Sequence, residues 1–211
     1  IVEDYMNEIK NLTGREYHAF DYYGAKDAEK IIIAMGSVIE VIEETVDYLL
    51  SKGEKVGLVK VRLYRPFRTD YLLKVIPKTV KKIAVLDRTK EPGSAGEPLY
   101  LDILKSFYDT NLKPVIVGGR FGLGSKDPTP SNILSVYKNL DSDKPINSFT
   151  IGINDDVTNT SLKEIKNEYK PKYESKQCKF WGLGSDGTVG ANKSAIKIEK
   201  HYLFSYKVLI S

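Results

Sequence analysis

Lys30-Ile31-Ile32-Ile33-Ala34-Met35-Gly36-Ser37 is the stretch on which the fold turns. A short apolar run without polar alternation is the pattern of a parallel strand covered on both faces. It ends in Gly36-Ser37, and Ser37 with Glu40 has the S-x-x-E spacing of a helix-opening capping box. Val38, Val41, Ile42, Val46, Leu49 and Leu50 then fall toward a common side of a helix that Gly53 can stop. Strand, tight connection and amphipathic helix together make the repeating unit of an α/β protein.

Outward from that unit the alternation recurs. Residues 56–61 and 82–86 read as a second and a third strand. Between them Thr69 can cap a short helix that ends before Pro77. Leu99, Leu101, Ile103, Leu104 and Phe107 predict a helix over 97–109, and residues 114–117 read as a fourth strand. Thr129-Pro130 has the form of an N-cap followed by proline at the first helical position, opening a helix to about Leu140. Phe149-Thr150-Ile151-Gly152-Ile153 closes the series as a fifth strand. The expected fold is α/β: an open parallel five-stranded sheet with helices on both faces. Upstream, Val2, Tyr5, Met6, Ile9 and Leu12 have helical spacing before Gly14. The aromatic stretch 17–23 reads as a short strand or an extended connector.

Composition narrows the function classes. With 41% hydrophobic and 28% charged residues, the 211-residue chain is globular rather than disordered. Its net charge of +4 is small and its Lys-rich stretches alternate with Glu and Asp, so no nucleic-acid partner is expected. No apolar run approaches the roughly 18 residues of a membrane span, so no membrane partner is expected either. A single cysteine, Cys178, excludes an internal disulfide and a self-contained Cys-based metal cluster, and it fits a reducing compartment. It reads as an incidental surface thiol rather than a nucleophile. Two histidines, His18 and His201, speak against a His-rich metal site. The chain begins at Ile1, with neither an initiator Met nor a signal-like segment, the start expected of an internal piece of a longer polypeptide.

From about 155 to 179 Lys, Glu, Asn and Tyr dominate, the composition of a surface linker. Beyond it lies Phe180-Trp181-Gly182-Leu183-Gly184-Ser185-Asp186-Gly187-Thr188-Val189-Gly190-Ala191-Asn192-Lys193. One β–loop–helix unit cannot bury its own apolar face, so the C-terminal residues are expected to be the truncated start of another domain, packed in a partly non-native way. The expected organisation is a first domain over 1–165, a linker over 166–179 and that start over 180–211.

In an open α/β sheet, ligands bind beyond the carboxyl ends of the strands. Met35-Gly36-Ser37 is either a tight turn with a good cap or an anion site of backbone N–H groups. The long loop 87–96 carries charges that are solvated, face a partner domain or take part in chemistry. Arg62-Leu63-Tyr64-Arg65-Pro66-Phe67-Arg68 interleaves arginine with aromatic residues, which suits an interdomain contact or an anion clamp. Gly118-Gly119-Arg120-Phe121-Gly122-Leu123-Gly124-Ser125-Lys126-Asp127 has the glycines for close backbone approach and two cations, so structural and phosphate-binding readings both stand. Gly182, Gly184 and Gly187 match G-x-G-x-x-G, with Asn192 and Lys193 nearby, but no acidic ribose partner follows. A free-standing phosphate- or nucleotide-binding module using these Gly-rich loops is the rival functional reading.

The segments 118–127 and 180–193, with Val61-Arg62-Leu63-Tyr64-Arg65-Pro66-Phe67 and Leu86-Asp87-Arg88-Thr89-Lys90-Glu91-Pro92-Gly93, resemble pyruvate:ferredoxin (flavodoxin) oxidoreductase. The related pyruvate:NADP⁺ oxidoreductase has the same motifs. The resemblance implies that the first domain is similar to the transketolase C-terminal domain. It also implies that the segment from Phe180 opens a domain associated with coenzyme A. Gly182, Gly184, Asp186, Gly187, Thr188, Asn192 and Lys193 are then the candidate cofactor-binding residues. The parent would oxidatively decarboxylate pyruvate to acetyl-CoA with thiamine diphosphate, iron–sulfur clusters and coenzyme A. Its acceptor would be ferredoxin, flavodoxin or NADP. The parent would be a homodimer in the cytoplasm or in a reducing organelle of an anaerobic eukaryote. The thiamine diphosphate signature, Gly-Asp-Gly followed by paired Asn, is absent here, so this piece is expected to be structural, with no catalytic residue, no metal site and no cofactor of its own.

Overall fold

A computed structural model describes residues 1–166 and 186–200. Its elements run α1 (Val2–Thr13), β1 (Phe20–Gly24), β2 (Lys30–Ala34), α2 (Val38–Ser51), β3 (Val56–Val61), α3 (Thr69–Val75) and β4 (Lys82–Asp87). They continue with α4 (Pro98–Tyr108), β5 (Val115–Arg120), a 3₁₀ turn (Leu123–Ser125), α5 (Pro130–Asp141), β6 (Phe149–Thr150) and α6 (Thr188–Lys200). The chain divides into two compact units, Ile1–Asn167 and Glu168–Ser211.

The sheet of the first unit has the strand order β1-β3-β2-β4-β5-β6. Strands β3, β2, β4, β5 and β6 are mutually parallel, with Ile31 opposite Gly57 and Ile83. Successive side chains of a strand point to opposite faces, and here both faces are covered. Ile32, Ala34, Leu58, Ala84 and Leu86 pack with Val41 and Ile42 of α2 and Ile133 and Val136 of α5. Ile31, Ile33, Val59, Ile83 and Val85 pack with Leu72 of α3 and Leu99, Ile103 and Phe107 of α4. Burial on two faces is why these strands read as continuous apolar runs.

The five parallel strands are joined by a sixth. Strand β1 pairs antiparallel with β3, Phe20 opposite Val61 and Gly24 opposite Gly57, so the sheet is mixed rather than purely parallel. An antiparallel edge tolerates polar residues, and Asp21 there pairs with Arg62. Strand β6 is shorter than the expected 149–153, because Gly152 at φ 82 turns the backbone out of the extended region.

Helix caps divide in the same manner. Thr129 closes a reciprocal box on α5: its Oγ1 accepts the Asn132 N–H at 3.3 Å while Asn132 Oδ1 accepts the Thr129 N–H at 3.0 Å. Replacing Thr129 by Ala is expected to cost about 1 kcal/mol, read as a lower urea midpoint with an unchanged slope. Thr69 does not cap α3. It is the first helical residue, Arg68 is the N-cap, and the Thr69 hydroxyl bonds Ser106 Oγ at 3.0 Å.

Candidate functional site

Strand β2 connects to β3 on one side, and the chain then crosses back to place β4 on the other side of β2. Where connections diverge in this way a crevice forms beyond the carboxyl ends of the strands. Residues 35–37 and 88–96 flank it. Ser37 has helical angles (φ −64, ψ −21) and makes no side-chain cap bond, so the expected box with Glu40 does not form. A capping hydroxyl needs an extended backbone at its own residue to fold over the next amides.

Under this edge lies a buried polar cluster. Asp87, 2% exposed at the end of β4, accepts the N–H groups of Leu99 at 3.0 Å and Tyr100 at 3.1 Å. The first turn of α4 is thus capped by a carboxylate from the preceding strand, where a negative charge is favoured. Burial nevertheless dominates and raises the Asp87 pKa above the ordinary carboxylate value; the two amides oppose the shift, and the charges of Glu97 and Asp102 add to it. Glu97, 1% exposed, is the N-cap residue of α4. Its Oε1 accepts from Arg120 Nε at 2.5 Å, and its Oε2 has no hydrogen-bond partner. Arg120 also donates from Nη1 to the Ser148 carbonyl at 3.1 Å. Loop 88–96 is therefore anchored at both ends by buried acids, with Arg88, Lys90 and Glu91 exposed between them.

This arrangement decides between the two readings of 118–127. A Cβ on Gly118 would lie 2.9 Å from the Tyr100 ring, and one on Gly119 would lie 2.2 Å from the Phe149 ring. Gly122 and Gly124 hold φ 67 and φ 60 around the 3₁₀ turn. Packing accounts for the first two glycines and backbone conformation for the other two. The Arg120 guanidinium is turned inward to Glu97, and of the two cations only Lys126 faces solvent.

The arginines at 62–68 are likewise matched. Arg62 pairs with Asp21, Arg65 with Asp102 at 2.8 Å, and Arg68 makes two bonds to Asp70 at 2.9 and 2.8 Å. Tyr64 donates to Asp102 at 2.8 Å, and its phenol is pushed up to about 12 by burial and by that carboxylate. An anion clamp at 62–68 would have to displace these acids. After β6, Asp155 is held down to about 2 by the Thr158 hydroxyl and by the amides of Thr158 and Val157, which shapes another loop at this edge.

Of the expected cofactor-binding residues, Gly182 and Gly184 lie outside the described residues. Asp186 accepts the Thr188 N–H at 2.9 Å and Gly187 has φ 79. Asn192 is buried, and Lys193 lies on α6. The Asp186 carboxylate thus engages an amide at the start of α6, where a negative charge is favoured. No contiguous motif brings Asp87, Glu97 and Arg120 together; the fold does. The cluster's sequence signals were an acid as the last residue of a strand and Glu-Pro at a helix opening.

Among the described residues no group of acids, histidines and cysteines is placed to hold a metal ion. None of their helices is long and apolar enough to cross a membrane.

Residues 28–133 match the family model described as pyruvate:ferredoxin oxidoreductase core domain II. The pyruvate-flavodoxin oxidoreductase of Enterobacter agglomerans is 61% identical over 199 residues, covering 94% of this chain and 17% of that protein. The pyruvate:ferredoxin oxidoreductase of Moorella thermoacetica is 59% identical over 200 residues, with the same coverage of each. The pyruvate dehydrogenase [NADP(+)] of Cryptosporidium parvum is 52% identical over 204 residues, covering 94% of this chain and 10% of that protein. A split-gene transketolase aligns with 59% of this chain and 39% of its own at 16% identity and a TM-score of 0.41. With its mixed α/β sheet and a match from residue 28 to residue 133, the chain belongs to the pyruvate:ferredoxin oxidoreductase core domain II family.

Proposed function

We propose that the chain serves as a structural, interdomain segment of a longer, homodimeric enzyme that oxidatively decarboxylates pyruvate to acetyl-CoA. The enzyme would use thiamine diphosphate and pass electrons through iron–sulfur clusters to ferredoxin, flavodoxin or NADP. The observation that carries this reading is the 61% identity to a pyruvate-flavodoxin oxidoreductase of which the chain spans only 17%. The first domain would extend over 1–165 and the linker over 166–179. The coenzyme A-associated start would occupy 180–211, with Gly182, Gly184, Asp186, Gly187, Thr188, Asn192 and Lys193 as its cofactor-side residues. One cysteine supports a reducing compartment, the cytoplasm or an organelle.

The residues present do not fit an iron–sulfur cluster, which takes about four cysteine thiolates where the chain has one. Nor do they favour tight coenzyme A binding by this chain alone, given the Asp186 carboxylate at the start of α6. Calorimetry of the isolated chain with coenzyme A, NADPH and ATP is expected to show no binding. Binding of any of them would favour the rival phosphate- or nucleotide-binding module.

Activity gives the direct test. The isolated chain should not reduce an acceptor with pyruvate, coenzyme A and thiamine diphosphate. A chimera in which this chain replaces the matching segment of the Enterobacter agglomerans enzyme should do so at a rate comparable to that enzyme. Turnover by the chain alone, or a folded chimera inert toward pyruvate, would overturn the reading.

A further inference from the structure

Two features of the first unit, an arginine–tyrosine segment and the helix α1, are joined through one residue. Segment 62–71 carries three arginines, each stacked on a tyrosine ring: Arg62 on Tyr17 at 5.0 Å, Arg65 on Tyr64 at 3.8 Å and Arg68 on Tyr71 at 4.7 Å. Phe67 buttresses the segment edge-on against Phe20 at 5.5 Å and Tyr64 at 6.2 Å. The Arg65 and Arg68 side chains are 56% and 52% exposed. Stacking and ion pairing have already removed much of the rotamer freedom that binding would otherwise cost, and arginine with tyrosine is the composition of interface hot spots.

The second feature is α1, none of whose residues is buried. Tyr5 is 63%, Ile9 42% and Leu12 78% exposed. At 100° per residue these three share a stripe turned away from Glu3 and Met6, through which the helix meets the domain. Glu3 Oε1 accepts the Ala19 N–H at 3.4 Å, and the Ala19 carbonyl accepts the N–H groups of Arg62 and Leu63 at 3.0 and 3.1 Å. The helix and the arginine segment are therefore joined through residue 19.

We infer that α1 and residues 62–71 form one docking surface for another part of the same longer polypeptide, a part whose contact face is uncharged, apolar and rich in main-chain carbonyls. This rests on the function proposed above. The occupant follows from two facts. The chain covers 17% of the Enterobacter agglomerans relative, so most of such a polypeptide lies outside it. Three arginines meet three acids of this chain, Asp21, Asp102 and Asp70, which leaves segment 62–71 locally neutral, with guanidinium N–H groups suited to carbonyl oxygens, beside the apolar stripe of α1.

Amide hydrogen exchange tests the surface, comparing the isolated 211-residue chain with the full-length chimera. Peptides over 2–13 and 62–71 should exchange at least tenfold more slowly in the chimera, and the protection should persist in 0.5 M KCl. Leu12→Asp should leave unfolding of the isolated chain unchanged and remove the protection of both peptides in the chimera. Equal exchange in the two proteins, protection lost in salt, or protection already present in the chain alone (as self-association would give) overturns the inference. Pyruvate turnover is measured separately. An active chimera with unprotected peptides refutes the surface and leaves the proposed function standing, and an inert one with protected peptides does the reverse.

Discussion

One methyl group at Gly119 is expected to cost about 3 kcal/mol, at the upper end of the usual penalty for overpacking a core. The added Cβ would sit 2.2 Å from two atoms of the Phe149 ring. That ring is fully buried on β6, and Phe149 is the register partner of Gly119, so neither backbone can withdraw without breaking the β5–β6 pairing. For a chain of this size such a loss lowers Tm by roughly 6–12 °C. Gly118→Ala should cost less, since the Tyr100 ring is 2.9 Å away and meets the new carbon through a milder overlap. The double variant Gly119→Ala, Phe149→Leu should recover part of the loss, because the two positions share one volume. Unfolding midpoints measure all three. An unchanged midpoint for Gly119→Ala would mean that the motif's second glycine is there for some reason other than packing.

Removing the Arg120 guanidinium is expected to destabilise by about 3–5 kcal/mol, the cost of leaving a buried charge without its partner. Glu97 is 1% exposed, and its one bonded oxygen is held by Arg120. Arg120→Met leaves that oxygen bare in addition to the one already unpartnered. Glu97→Leu combined with Arg120→Met removes both charges and should restore most of the stability, since an apolar pair of similar volume commonly matches a buried ion pair. If the double variant is as unstable as Arg120→Met, the penalty comes from the lost bond to the Ser148 carbonyl instead. The neighbouring Asp87 adds a pH dependence of defined sign. Its folded-state pKa is raised, so the stability its protonation contributes is fully present below the ordinary carboxylate value and is lost as pH rises through the folded value. Asp87→Asn should flatten that part of the profile. It should also lower stability at neutral pH, because an amide offers one acceptor where Leu99 and Tyr100 present two donors.

The mutual pairing of these groups is also the physical content of the structural role proposed for the chain. Asp87, Glu97 and Arg120 bind β4, α4 and β5 together beneath the sheet edge where an α/β protein would place its ligand. The long loop between Asp87 and Glu97 is anchored at both ends by buried acids and carries exposed charges at Arg88, Lys90 and Glu91.

Much of this was legible in the amino-acid sequence. Residues 30–34, 56–61 and 82–86 are legible as strands because they are buried on both faces, and two-sided burial leaves a continuous apolar run that needs no knowledge of the partner strand. Of β5 only the start is legible, in 114–117, because its last residues, Gly118, Gly119 and Arg120, have the composition of a Gly-rich loop. Helices α2, α4 and α5 carry their own period, and Thr129-Pro130 marks a start by chemistry confined to four residues. The family resemblance, too, lies in short contiguous motifs. Tertiary structure alone decided which partner each group meets. Phe20–Gly24 could have been a connector until β3 offered it an antiparallel edge. Ser37 had the residue type of a cap and the wrong backbone angles for one. The glycines at 118 and 119 suited a phosphate as well as an aromatic ring until Tyr100 and Phe149, distant in sequence, came to lie against them. Arg120 had the charge for an anion from outside, and the fold supplied one from within at Glu97. Burial, period and turn chemistry act over a few neighbouring residues and are written in sequence order, whereas the choice of partner for a charge, a ring or a strand edge depends on which distant residues the folded chain brings within a few ångströms.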